Sequence, residues 1–425
     1  MSEAAGPAVA ATYPSNPLHN RGFVGLLAYR LLAVLSYQVV AVTVGWHLYE
    51  LTRNPFSLGL IGLAEVIPYF CTAPFAGYLV DHLPRRKLGM VASLGLVATA
   101  VLLAAIAFGL VPAQVEGGGP PRTWPIYAAI ALTGVARSFL SPVFNALFAR
   151  VLPREQFARG AGVGSVIFQA GLVVGPAVGG VVIGIWGVGA AYSLAVVLAI
   201  GAAVAIRLVQ VTEPAILLQR APVFSSIRDG MRFVAGHQIL LGALALDMFA
   251  VLFGGAVSLL PAFIMEILHY GPEGLGILRA APALGAVVVG TWMARHPPDR
   301  NAGRMLLLSV AGFGTCIIGF GLSTHFWLSA AFLLGSGLCD GVSMVLRTTI
   351  MQLATPDEMR GRVSSINGLF VGSSNELGAF YAGSMARLLG LVPAVVLGGF
   401  VTLGVVAATA KKAPQLRRLD LSDLD

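Results

Sequence analysis

LPREQFARGAGVGSVIFQAGLVVGPAVGG, residues 152–180, aligns at scattered positions with TPDEMRGRVSSINGLFVGSSNELGAFYAG, residues 355–383. At an offset of 203 residues Leu152-Pro153-Arg154-Glu155 falls on Thr355-Pro356-Asp357-Glu358. Arg159 meets Arg362, Gly175 meets Gly378 and Gly180 meets Gly383 at the same offset. The chain therefore reads as two halves of like construction. In each half the repeated stretch is a short charged loop that runs into a long apolar segment.

Working outward, apolar segments of bilayer length, about 20 residues, recur along the whole chain. They lie near 23–50, 57–80, 88–110, 124–148, 160–184, 187–207, 238–268, 273–294, 304–323, 326–347, 363–387 and 391–410. The composition agrees: 57% of residues are hydrophobic and 11% charged, against roughly 25% charged in an ordinary soluble domain. A soluble fold cannot hide so much apolar surface, because its surface-to-volume ratio demands a polar shell. The 52 glycines fit close helix approach in lipid. The expectation is an all-α membrane protein of about 12 transmembrane helices in two pseudo-symmetric six-helix bundles. Residues 1–22 form an N-terminal segment, 23–207 the first bundle, 208–237 a linker, 238–410 the second bundle and 411–425 a tail. Parallel repeats of this kind pack about an axis along the membrane normal.

The net charge of +8 is not a nucleic-acid footprint, because the basic residues form no patch or stripe. They fall in clusters between apolar runs: Arg85, Arg86 and Lys87; Arg150, Arg154 and Arg159; Arg220, Arg228 and Arg232; Arg295, Arg300 and Arg304; Arg360 and Arg362; Lys411, Lys412, Arg417 and Arg418. The opposite loops hold little beyond Arg53, Arg122 and Arg387. By the positive-inside rule both termini are cytoplasmic. Cys71, Cys316 and Cys339 all lie in apolar stretches and form no spaced pair, so neither a disulfide framework nor a metal site is expected. The N-terminus has no signal-peptide architecture, and the first apolar run is too long for one.

Two motifs carry a family resemblance. The loop after the second segment reads Gly77-Tyr-Leu-Val-Asp81-His-Leu-Pro-Arg85-Arg86-Lys87. Gly77 there permits close helix contact, Asp81 sits at a helix end and the arginines anchor at an anionic leaflet. The fifth segment carries Gly162, Gly171, Gly175-Pro176 and Gly179-Gly180. Glycines spaced by four make a flat packing face, and Pro176 removes a hydrogen bond and kinks the helix. The first resembles the signature loop of the major facilitator superfamily, and the second matches the glycine/proline motif of that superfamily's antiporters. Asp340, Arg347, Gln352, Thr355-Pro356-Asp357, Arg360-Gly361-Arg362-Val363 and Ser374-Asn375-Glu376-Leu377-Gly378 are similar to an efflux branch containing the bacterial enterobactin exporter. The resemblance implies the major facilitator fold and export across a bacterial inner membrane. It implies a latch in the first loop that forms in one access state and breaks in the other.

Charge inside hydrocarbon costs several kcal/mol, so each such residue is a functional candidate. They are Arg30, Glu65, Arg137, Asp247, Arg279, Asp340, Arg347 and Glu376. The resemblance places the central cavity among segments 1, 4, 7 and 10, which carry Arg30, Arg137, Asp247 and Asp340. With Tyr37 and Gln38, these four are the candidate substrate residues. Arg137 and Asp340 share the 203-residue offset and are expected to face one another across the cavity. Asp247, Glu376, Asp340 and Glu65 are candidates for proton coupling, since desolvated carboxyls titrate nearer neutrality. Arg30 and Arg347 are expected to snorkel to the cytoplasmic interface, and His47 to sit at an outer surface.

No nucleotide-binding signature is present, and no acid/base or nucleophile grouping converges as in an enzyme. The expected activity is secondary export of a small organic or amphipathic molecule, such as a siderophore or drug. A proton gradient would drive it, with no cofactor, no metal and a monomer in the bilayer. Import or facilitated diffusion of a metabolite, and lysophospholipid flipping, stay open on the same fold.

Overall fold

The computed structural model describes residues 16–112, 121–209, 211, 223–296 and 301–421. The leading residues, much of the linker with Arg220, and Arg300 lie outside these, as do the side chains of Asp81 and Arg360. The described residues form helices and no strand: α1 (Arg21–Thr52), α2 (Pro55–His82), α3 (Arg85–Ala107), α4 (Trp124–Val151), α5 (Phe157–Leu208), α6 (Val223–Gly236) and α7 (Gln238–Phe253). A 3-10 turn, α8 (Leu260–Phe263) and a π turn (Ile264–Leu268) prolong α7. There follow α9 (Pro272–Arg295), α10 (Ala302–Leu322), α11 (Phe326–Leu353), α12 (Asp357–Leu389), α13 (Leu391–Lys412) and α14 (Pro414–Arg417).

Ten of these stretches are long and apolar enough to cross a membrane. One of them, within α5, is two limbs joined at Gly187, whose φ of 83° and ψ of 176° break the helical geometry. The helix runs on through Pro176, so the interruption comes at the glycine and not at the proline. α12 is bundle-length but more polar, carrying Ser373, Ser374, Asn375 and Glu376 in its middle. Counting both limbs of α5 and adding α12 gives twelve segments among the described residues. At the repeat offset from Gly187, Gly390 joins α12 to α13 with φ 93° and ψ 165°. The linker is not simply polar coil, because α6 is a strongly amphipathic helix. Its Asp229 lies 3.5 Å from Arg362 of α12.

The apolar cores show how the halves meet. At the far end, opposite the start of α1 and the end of α13, one cluster joins both halves, including Val44, Leu48, Leu260, Phe263 and Leu391. At the near end each half keeps its own core, around Tyr29, Val143 and Ile206 in the first and Leu246, Leu306 and Leu346 in the second. Two helix crossings hold the far end, and they are duplicates. A Cβ on Gly180 of α5 would stand 2.5 Å from Gly276 N and 2.9 Å from Pro272 O of α9. A Cβ on Gly383 of α12 would stand 2.7 Å from Gly59 N and 2.9 Å from Pro55 O of α2. Each partner helix begins with its proline, which suits a first-turn position that needs no N–H donor. The π turn adds a polar tie, in which the Tyr49 hydroxyl donates to Glu266.

Gly180→Val and Gly383→Val must each push a crossing apart. With spin labels at Glu50 and Tyr270, in a background lacking Cys71, Cys316 and Cys339, we expect both variants to shift the distance distribution to longer values. An unchanged distribution would show that the crossings do not hold this end shut.

Candidate functional site

Midway along the bundle, two close approaches bring three charged helices together. Gly134 of α4 lies so near α2 that a Cβ would strike the Glu65 carbonyl, and Gly62 of α2 lies equally near the Glu376 carbonyl of α12. Arg137, one turn beyond Gly134, ion-pairs with Glu65. The same guanidinium nitrogen is 3.4 Å from Glu376 Oε1. Its guanidinium carbon is 4.8 Å from the centroid of the Tyr37 ring on α1. Glu65 and Arg137 belong to the first half and Glu376 to the second, so one cation bridges the halves. The side chains are 31% exposed for Arg137, 11% for Glu65 and 23% for Glu376, so water reaches the arginine most freely. From α9, Arg279 donates to the Ala41 carbonyl of α1 at 3.3 Å, a second polar tie across the halves.

Arg137 therefore does not face Asp340. The two sit at equivalent positions in the repeat, but Arg137 is turned toward α2 and α12, and Asp340 has no ion pair among the described residues. Arg347 does not snorkel: it is 6% exposed and ion-paired with Asp247, which is equally buried. A counter-charge on the neighbouring helix α7 removes the need to reach water. His47 is also buried, with Nδ1 3.3 Å from the Tyr192 hydroxyl, and is no surface residue.

On the near side of Arg137 lies a cavity of about 130 Å³ in the first half, lined by Tyr29, Arg30, Tyr37, Arg137, Phe144 and Phe168 among others. Gln38 does not line it; a Cβ on Gly175 would come 2.6 Å from Gln38 Cβ, so the glutamine packs on α5. The glycines of α5 divide their work. Gly171, Gly175 and Gly179 lie against Val34, Gln38 and Val39 of α1, Gly180 makes the far-end crossing, and Gly162 meets nothing within 4 Å. The carbonyl of Pro176 stands 2.8 Å from a Cβ built on Gly276. Gly77, inside α2 near its end, likewise faces open space, which corrects the expectation of a close helix contact there. Arg85 donates to the Val80 carbonyl at 3.3 Å and Arg86 to the Val209 carbonyl at 3.2 Å, tying the loop to the end of α5. Among the described residues no group of His, Cys, Asp and Glu has the arrangement of a metal site.

A twelve-segment bundle in two repeated halves, with a charged cluster between them, has a match in sequence. The profile of the Major Facilitator Superfamily covers residues 26–379. The chain belongs to this superfamily. It is a multi-pass membrane transporter and not an enzyme. Macrolide efflux protein A of Streptococcus pyogenes is 21% identical over 94% of this chain and 97% of that protein. Enterobactin exporter EntS of Escherichia coli is 25% identical over 92% of this chain and 91% of that protein. In fold the chain is similar to a bacterial homolog of the human lysosomal transporter Spinster, solved inward-facing and unoccupied, with a TM-score of 0.74 at 15% identity over 95% of this chain and 98% of that one.

The buried pair offers a test of the electrostatics. Asp247→Asn leaves the Arg347 guanidinium buried without its counter-charge, which costs about 3–5 kcal/mol. We expect the melting temperature in detergent to fall clearly below wild type. Asp247→Leu combined with Arg347→Met should recover most of the loss. Equal melting of wild type and Asp247→Asn would mean that the pair contributes nothing.

Proposed function

We propose that the chain is a proton-coupled exporter of small amphipathic organic molecules, working by alternating access in a bacterial inner membrane with both termini cytoplasmic. The observation that carries this reading is the bridge from Glu65 through Arg137 to Glu376. Two carboxylates share the Arg137 guanidinium, and the Arg279 guanidinium also acts on both of them electrostatically. A proton on Glu376 removes its charge and so weakens the 3.4 Å contact with Arg137, which is a contact between the halves. Glu65, held within its own half, keeps Arg137 paired when Glu376 lets go. Protonation thus biases the equilibrium between two packings of the halves, as a differential interaction must.

The outward direction rests on the α5 motif and on relatives whose names are those of efflux proteins. Those names also choose the first compounds to test, a macrolide and enterobactin. Asp247 is a weaker candidate for coupling than Glu376, because its counter-charge is fixed within one half and does not change partner between halves.

Inside-out proteoliposomes with an imposed pH gradient supply the test. We expect wild type to accumulate at least one of the two compounds and to lose that accumulation when the gradient is dissipated. Glu376→Gln should transport at a rate that no longer responds to the gradient. Full gradient-driven accumulation in both Glu376→Gln and Glu65→Gln would take the cluster out of the coupling step.

A further inference from the structure

The two halves place the same helix contact in different electrostatic states. Gly25 of α1 packs toward Ala205 and Val209 at the end of α5, and Gly242 of α7 packs toward Ala413 and Leu416 at the end of the second half. These glycines are equivalent by their surroundings. Five residues beyond each stands a charge, Arg30 in the first half and Asp247 in the second. The partner positions on α4 and α11, related by the repeat offset, are Phe144 and Arg347. In the second half the contact is a buried ion pair, Asp247 with Arg347. In the first half it is Arg30 against the Phe144 ring, with the guanidinium carbon 4.1 Å from the centroid.

Arg30 therefore has rings where its counterpart has a counter-charge. Phe168 of α5 offers a second ring at 4.9 Å, and α5 leaves room for the guanidinium at Gly164. No carboxylate among the described residues pairs with Arg30, and Glu65 and Glu376 are committed to Arg137. Aromatic faces attract a cation but do not neutralise it. A partly buried, unneutralised guanidinium within a bilayer is costly, and here it lines a cavity. Beside it stands a second unmet group: Tyr29 is 1% exposed, lines the same cavity, and its hydroxyl has no hydrogen-bond partner.

We propose that this cavity binds the acidic head of an aromatic organic anion. Its carboxylate or phenolate lies against Arg30 and accepts a hydrogen bond from the Tyr29 hydroxyl, and its ring lies among Tyr37, Phe144 and Phe168. The space suits one substituted ring, since an apolar cavity of about 150 Å³ takes up benzene and this one measures about 130 Å³. The inference rests on the transporter reading above and names its substrate class. It assigns charge selection to Arg30, while the Arg137 cluster is left to couple the halves.

Equilibrium binding to the purified full-length protein tests the site without reference to direction or gradient. The probes are radiolabelled 2-hydroxybenzoate, its neutral amide 2-hydroxybenzamide, and the cation benzyltrimethylammonium. Wild type should bind the benzoate at least tenfold more tightly than either of the others. Arg30→Gln should weaken benzoate at least tenfold and leave the amide unchanged. Arg30→Lys, which keeps the charge and loses the planar stacking surface, should fall between, and Tyr29→Phe should weaken benzoate severalfold. Equal binding of benzoate and amide by wild type, or preference for the cation, overturns the proposal even where a variant fails to fold. Undiminished benzoate binding by folded Arg30→Gln does the same. Anion binding that depends on Arg30, with no outward transport in proteoliposomes, would overturn the export reading and leave this site standing. Outward transport confined to neutral or cationic molecules would do the reverse.

Discussion

A charge in hydrocarbon must be matched or wetted, and in this protein one arginine is matched from both sides of a seam. Arg137 takes Glu65 from its own half and Glu376 from the other. The backbone around it is arranged to permit this, since Gly134 and Gly62 bring α4, α2 and α12 close together at the level of the charged side chains. The contact with Glu376 crosses the seam, so its length follows the relative position of the halves. The buried ion pair of Asp247 with Arg347 lies inside one half and joins two of its helices. Position relative to the seam, more than burial, is what distinguishes the two pairs.

The two halves preserve backbone contacts and diverge in charge. Gly180 on Gly276 and Gly383 on Gly59 meet equivalent atoms at nearly equal distances. Crossings of that closeness admit no side chain, so either glycine can change only at the expense of the contact. The positions at mid-depth face space or a partner that can change with them. There the equivalents are Arg30 and Asp247, Phe144 and Arg347, Arg137 and Asp340. The repeated framework thus carries a self-neutralised contact in one half and an unneutralised one beside a cavity in the other.

Much of this was legible in the sequence because hydropathy and repeat spacing are one-dimensional signals. The segment expected at 238–268 ends where the π turn ends, and that at 391–410 stops two residues short of α13. The offset of 203 aligned Gly180 with Gly383 but not their partners, since Gly59 and Gly276, like Pro55 and Pro272, stand 217 residues apart. What the offset lacks is helix rotation. Arg137 and Asp340 share a register, yet a side chain's partner depends on which neighbour its helix turns toward, and for Arg137 that follows from the close approaches at Gly134 and Gly62. Arg347 was read as reaching for the interface because Asp247 is a hundred residues away in the chain. Tyr29 stands one residue from an intramembrane arginine, and that adjacency is its signal in the sequence. The amphipathic pattern of Val223–Gly236 was readable too, hidden only by the charge of the loop around it.

The junctions at Gly187 and Gly390 have a mechanical meaning. Each links a helix at the seam to the next helix of its half through one residue, with φ near 90° and an extended ψ. A linkage of one residue has no backlash. A longer loop would let the seam helix tilt while its neighbour stayed in register with the lipid; a single glycine transmits the tilt at once. Ile185, Trp186, Leu388 and Leu389 are exposed beside these joints. A tilt of the seam helix would therefore drag the apolar rim through lipid, and the bilayer's resistance to displacing those side chains would become part of the load on each half.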